Sequence, residues 1–183
     1  MERERIQDFL KPNPNAQTYQ GVFHPINTNK YIGDTKQIYY RSGWEFEYYK
    51  WLDRCDAVIR YSIENVKVQY ISPLDQKKHF YYIDVFMETK SKYGGTVKWL
   101  IEIKPQKYTL FPQLPKKKTE KAMKNYYKTY NTTLVNIAKF KAASNYAKNI
   151  DALFGVVSKD KATGVFKTVQ WNESMIGLNP KIE

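Results

Sequence analysis

A carboxylate inside an apolar strand is costly unless a cation or hydrogen bonds compensate it, and this sequence places two there. In Tyr81-Tyr82-Ile83-Asp84-Val85-Phe86-Met87 a lone aspartate interrupts an apolar run, and in Trp99-Leu100-Ile101-Glu102-Ile103-Lys104 a lone glutamate does the same. Side chains alternate along a strand, so Glu102 and Lys104 share one face while Ile101 and Ile103 share the other. One core face and one chemical face are therefore expected. The Asp/Glu-x-Lys spacing alone says little, because Asp34-Thr35-Lys36, Asp75-Gln76-Lys77 and Glu88-Thr89-Lys90 repeat it. The first two of these sit in polar, turn-like segments and the third leaves its strand for a turn, whereas Glu102 is flanked by Leu100, Ile101 and Ile103. Two strand-borne carboxylates beside a lysine offer oxygen ligands for Mg²⁺ and a cation near an attacking water, which is what phosphodiester hydrolysis requires. As half-buried partners of nearby lysines, the same residues would be purely structural.

A third acid comes from the segment 41–56, whose periodicity is helical. Ser42 is placed as its N-cap, with Tyr48, Tyr49 and Leu52 on one face and Trp44, Trp51 and Cys55 widening it. Glu45 falls on that stripe, whereas Glu47 points away with Lys50. An inward glutamate fits a metal-bound or water-bridged role; an Arg41–Glu45 helix pair is the alternative.

These residues need elements to hold them. Val66, Val68 and Tyr70 alternate as a strand, 75–78 reads as a turn, and 79–87 and 96–104 read as strands joined through the Gly-rich turn 90–95 and ended by Pro105. Pro112 and Pro115 mark a loop over 106–115. A helix is expected over 116–130, an interruption at Asn131-Thr132-Thr133, and a second helix over 134–148. The segments 152–157 and 165–171 read as a closing strand pair. The first thirty residues, with Lys11-Pro12-Asn13-Pro14-Asn15, read as an irregular arm ahead of one domain over 31–183. The order of elements fits an α/β or α+β sandwich better than a doubly wound sheet.

Composition narrows the class. In 183 residues, Lys plus Arg outnumber Asp plus Glu by 30 to 18, which gives a surface attractive to polyanions such as nucleic acid or anionic lipid. An aromatic content of 16%, with 16 tyrosines, mounts that charge on a folded scaffold and not on a basic tail. Cys55 is the single cysteine and His24 and His79 are the only histidines, so neither an intramolecular disulfide nor a thiolate zinc site is expected. No run approaches transmembrane length and the start of the chain has no apolar signal core, so a soluble protein of a reducing compartment is expected. Lys117, Lys121, Lys124 and Lys128 recur at helical spacing directly after the Glu102 strand, opposite Met123 and Tyr130. With Lys107 and Lys116 to Lys118 from the loop, they are candidate phosphate contacts; a solvated helix face is the alternative. A helix inserting into an anionic membrane would show a Trp, Phe and Leu face, which is missing here.

Glu45 on a first helix, Asp84 on a strand and Glu102-Ile103-Lys104 on the next form an ordered set that resembles the PD-(D/E)xK nuclease superfamily, with Ile83 standing where the motif has proline. More closely, Lys30-Tyr31-Ile32-Gly33-Asp34, Tyr40-Arg41-Ser42-Gly43-Trp44-Glu45, Trp51-Leu52-Asp53 and Ile101-Glu102-Ile103-Lys104-Pro105 are similar to the head completion nucleases of T-even-type tailed phages, with TnsA-like transposon endonucleases sharing the core. The resemblance implies a restriction-endonuclease-like fold, a mixed central sheet flanked by helices. It implies a Mg²⁺-dependent DNA endonuclease of virion assembly, acting on double-stranded or branched DNA in the cytoplasm of an infected bacterium or in the virion, with head or neck proteins as partners. Asp84, Glu102, the Ile103 main-chain carbonyl and Glu45 would hold one or two Mg²⁺ ions, with Mn²⁺ able to substitute. Lys104 would complete the catalytic set, and Arg41 would join the lysines as a DNA contact. A non-catalytic DNA-binding assembly protein keeping the same fold is the rival reading.

Overall fold

β-branched and aromatic residues dominate 58–103, and in the computed structural model, which describes residues 19–160 and 163–171, they form three long strands. Two compact units divide the chain, Met1–Cys55 and Asp56–Glu183.

In the first unit, β1 (Gly21–Phe23) pairs antiparallel with β2 (Ile38–Tyr40), and α1 (Gly43–Arg54) follows. Residues 1–18 of the expected arm lie outside the described residues, while 21–23 form an edge strand too short to show periodicity. Ser42 caps α1 as expected, its hydroxyl accepting from the Glu45 amide. Tyr48, Tyr49 and Leu52 are buried, but Trp51 is 45% exposed and does not widen the apolar face. Buried Asp53 accepts from the Ile26 and Asn27 amides at 2.9 and 3.1 Å, and Lys30 Nζ donates to the Asp53 and Cys55 carbonyls, which closes the end of the helix.

The second unit is a five-stranded mixed sheet in the order β3 (Val58–Ile71), β4 (Lys78–Lys90), β5 (Thr96–Ile103), β6 (Ala152–Lys159) and β7 (Phe166–Gln170). Only β5–β6 is parallel, and its crossover is α2 (Glu120–Asn149). This α+β architecture with a mixed sheet agrees with the restriction-endonuclease-like core that the resemblance implies. β3 starts eight residues ahead of the Val66 alternation, because a register shift between Ile63 and Val66, with Glu64 at φ 48°, breaks the two-residue period. The β4–β5 turn needs Gly94 and Gly95, both at positive φ. No helix of the described residues is long and apolar enough to cross a membrane.

Two expected helices are one. Asn131, Thr132 and Thr133 do not interrupt α2; the two threonine hydroxyls are satisfied in place, Thr132 Oγ1 donating to the Lys128 carbonyl at 2.9 Å and Thr133 Oγ1 to the Leu110 carbonyl. Nor does the helix begin at Lys116. Thr119 is the N-cap and Glu120 occupies the first turn, where the helix dipole favours an acid over the lysine run before it. Lys117 therefore lies in the preceding loop and not on the helical stripe.

From Thr133 onward α2 buries Ile137, Phe140, Ala143 and Ala147 at three- and four-residue spacing, the last three packing against Leu100, Phe154, Val156 and Trp171. Phe140 is fully buried, with its ring 5.8 Å from Phe154 and 6.0 Å from Trp171. Phe140→Ala is expected to lower stability by about 3–5 kcal/mol, read as a fall in the urea midpoint at unchanged slope; a fall under about 1 kcal/mol would mean that the helix is not docked through this ring.

Candidate active site

The ladder between β4 and β5 runs as far as Val85 opposite Ile101. Beyond that pair the Asp84 carboxylate takes over: its Oδ2 accepts from the Ile103 amide at 2.7 Å. On the other side β5 stays paired, with Ile103 opposite Val157, the Lys104 amide donating to the Val157 carbonyl at 2.9 Å, and the Ser158 hydroxyl donating to the Lys104 carbonyl. The strand end is thus fixed from both sides.

Glu102 and Lys104 share a face, as alternation requires, and Lys104 Nζ donates to Glu102 Oε1 at 3.0 Å. That face is not an open chemical face. Glu102 is 3% exposed and follows Leu100, which packs under α2, while Ile101 and Ile103 are buried on the opposite side. Both faces of β5 are therefore covered, as is usual for a strand in a parallel pair. Glu102 Oε2 is buried and has no hydrogen-bond donor. A carboxylate oxygen left so is expensive in a protein interior, and its chemistry suits a hard divalent cation. Among the described residues no group of three or more His, Cys, Asp or Glu side chains converges; of the sheet's acids, Glu88 is taken by the Arg60 guanidinium at 2.7 Å and Glu64 lies on the edge strand β3, while Asp84 and Glu102 are joined through the Ile103 amide at the end of β5.

Glu45 belongs to the first unit. Its Oε2 accepts from the Arg41 amide at 2.6 Å and its Oε1 from the Ser42 hydroxyl at 3.0 Å, a reciprocal capping arrangement at the start of α1. The helix pair expected as the alternative role joins side chains; here the Arg41 backbone supplies a bond.

Sequence patterning does not single out Tyr81 or Lys139. Tyr81 is buried, and its hydroxyl donates to the Lys139 carbonyl at 2.9 Å. Burial first, and then the negative charges of Glu102 and Asp84, push its phenol far above the ordinary range, so it stays a donor. Burial, with the neighbouring positive charge of Lys104, lowers the Lys139 ammonium, while Glu102 and Asp84 oppose that shift. The available signal is position: Lys139 stands three residues after Asn136 and four before Ala143, on the edge of the buried stripe. Asn136 Nδ2 donates to the Tyr108 carbonyl at 2.9 Å, so α2 also pins the loop that leaves the Glu102 strand.

The lysines expected to meet phosphates are exposed: Lys107 and Lys116 to Lys118 in the loop, and Lys121, Lys124 and Lys128 on the first half of α2. Arg41 is exposed in the first unit.

The family model of the TnsA-like endonuclease N-terminal domain matches residues 55–159. The head completion nuclease of Enterobacteria phage T4 is 34% identical over 142 residues, which is 78% of this chain and 92% of that protein. No solved structure matches the chain significantly.

The orphaned oxygen gives a stability test. In buffer without divalent cations, Glu102→Gln is expected to be as stable as the parent protein or about 1 kcal/mol more stable, since it removes a buried charge and keeps an oxygen for Lys104. A loss of more than about 2 kcal/mol in urea unfolding would show instead that the Glu102–Lys104 pair serves structure.

Proposed function

The chain belongs to the TnsA-like endonuclease family and is a nuclease, and from that premise we propose that it hydrolyses DNA phosphodiester bonds with a divalent metal during phage head completion. One observation carries the reading: buried Glu102 has one oxygen on Lys104 and the other without a donor, with Asp84 fastened to the same strand.

Asp84, Glu102 and the Ile103 main-chain carbonyl would hold Mg²⁺, one ion or two, with Mn²⁺ able to substitute. When bound, the cation polarises the phosphate and lowers the pKa of a water to make a nucleophile. Lys104 orients that water and offsets the charge that develops on the phosphate oxygens in the transition state; a compact ammonium can approach both. Its position follows from the strand, because its amide and carbonyl are both bonded to β6. Asp84 holds the Ile103 amide, which keeps the Glu102–Lys104 segment from sliding. Glu45, engaged in its own helix cap, enters as a separate candidate acid tested by Glu45→Gln.

Lys107, Lys116, Lys117, Lys118, Lys121, Lys124 and Lys128, with Arg41, would contact backbone phosphates and set position without reading bases. Double-stranded or branched DNA is the proposed substrate, head or neck proteins are the proposed partners, and the cytoplasm of the infected bacterium or the virion is the proposed setting.

Purified protein incubated with linear, nicked and branched DNA is expected to cut in Mg²⁺ and not in EDTA, with Asp84→Ala, Glu102→Gln and Lys104→Met each slower by at least about 100-fold. Metal-dependent cutting that survives unchanged in Asp84→Ala would sink the proposed site. Replacing Lys121, Lys124 and Lys128 together by Gln should weaken binding on all DNA sequences alike. It should also flatten the slope of log affinity against log salt by about 0.9 for each phosphate that the protein no longer neutralises; an unchanged slope would make them a solvated face.

A further inference from the structure

Lysine is seldom buried without a partner. Lys139 is half-buried, and among the described residues its Nζ makes no hydrogen bond and no ion pair. It lies 5.6 Å above the Tyr70 ring and 5.4 Å above the Tyr81 ring, so the side chain is folded against the sheet and does not extend into solvent. Its ammonium is acted on by the charge of Lys104 and, in the opposite sense, by Glu102 and Asp84, and the Tyr81 ring beneath it comes from the strand that carries Asp84.

A counterion role fits this placement poorly. Lys104 takes Glu102 Oε1, and Glu102 Oε2 stays without a donor although a second ammonium is close enough to interact with it electrostatically. Two aromatic faces help to hold a cation, but they satisfy none of its three N–H donors. What completes such a group is an anion brought in from outside. The backbone is held for that task, since the Tyr81 hydroxyl grips the Lys139 carbonyl.

We infer that Lys139 is a second phosphate-binding cation of the active site, whose ammonium donates to a non-bridging oxygen of the scissile phosphate opposite the Lys104 side. This rests on the nuclease reading above. It separates Lys139 from the exposed lysines of α2: those meet DNA anywhere along its backbone, whereas Lys139, at the seam of helix and sheet, meets only the phosphate drawn into the site. Its loss should therefore slow cutting far more than it weakens binding.

The test compares Lys139→Met, which keeps the length of the side chain without the charge, with Lys139→Arg, which keeps the charge. Under single-turnover conditions with saturating protein and Mg²⁺, Lys139→Met should cut at least about 100-fold more slowly than the parent protein. Lys139→Arg should cut no more than about 10-fold more slowly than the parent. DNA affinity, measured with Ca²⁺ in place of Mg²⁺, should change by no more than about 3-fold in either variant. Cutting by Lys139→Met within about 3-fold of the parent rate would overturn the inference. A matching loss of affinity and rate would assign Lys139 to general DNA binding and also overturn it. If Lys139→Met does not fold, the Asp84→Ala protein, with its own lysines intact, is trapped by borohydride on DNA carrying an abasic aldehyde at the cut nucleotide. Peptide mapping should find the adduct on Lys139; adducts confined to other lysines would reject the inference. If the parent protein cuts no DNA at all, the nuclease reading fails, an outcome distinct from a parent that cuts and a Lys139→Met that cuts equally well.

Discussion

One hydrogen bond, from the Ile103 amide to the Asp84 carboxylate, marks where the sheet passes from backbone ladder to candidate site. Up to Val85 and Ile101 the two strands are joined by backbone alone. Past that pair a side chain must satisfy the buried amide, because an amide without an acceptor would cost about 1–3 kcal/mol. The same bond therefore keeps the strand end closed and places an acid beside Glu102. Since β6 still holds the opposite edge of β5 through Lys104 and Ser158, the strand end is fixed on both sides.

The crossover helix does two jobs that follow from its two halves. Its second half packs Phe140, Ala143 and Ala147 on the sheet against Leu100, on the face of β5 that Leu100 shares with buried Glu102. Its first half carries exposed Lys121, Lys124 and Lys128. Between the halves Thr133 and Asn136, both buried, donate to carbonyls of Leu110 and Tyr108 and tie the outgoing loop to the helix. Thr133, read from sequence as part of a break in the helix, is instead part of its joint with the loop.

The charge distribution has the same logic. An excess of 12 positive charges attracts a polyanion from a distance, and this long-range attraction is screened by salt. Near Glu102 the balance is local: two carboxylates, Lys104 and Lys139 in a low-dielectric setting, where each interaction is far stronger than on the surface.

Sequence alone determined what depends on neighbours along the chain. Alternation put Glu102 and Lys104 on one face, Ser42 announced the start of α1, Gly94 and Gly95 announced a turn, and the apolar flanks of Glu102 separated it from the two turn-borne triplets at Asp34 and Asp75. Those patterns are legible because their periods of two and 3.6 residues are local properties. Tertiary structure decided the rest. The third triplet, Glu88-Thr89-Lys90, does not leave its strand as expected: it lies within β4, and Glu88 is buried and bonded to Arg60 across the sheet. Whether Asn131 to Thr133 break a helix depends on a carbonyl 23 residues away; whether the Glu102 face is open depends on a helix docked over it; and the nearness of Lys139 to Asp84, 55 positions apart in sequence, depends on the parallel crossover. Burial and long-range pairing are set by which elements pack together, and no local period encodes that.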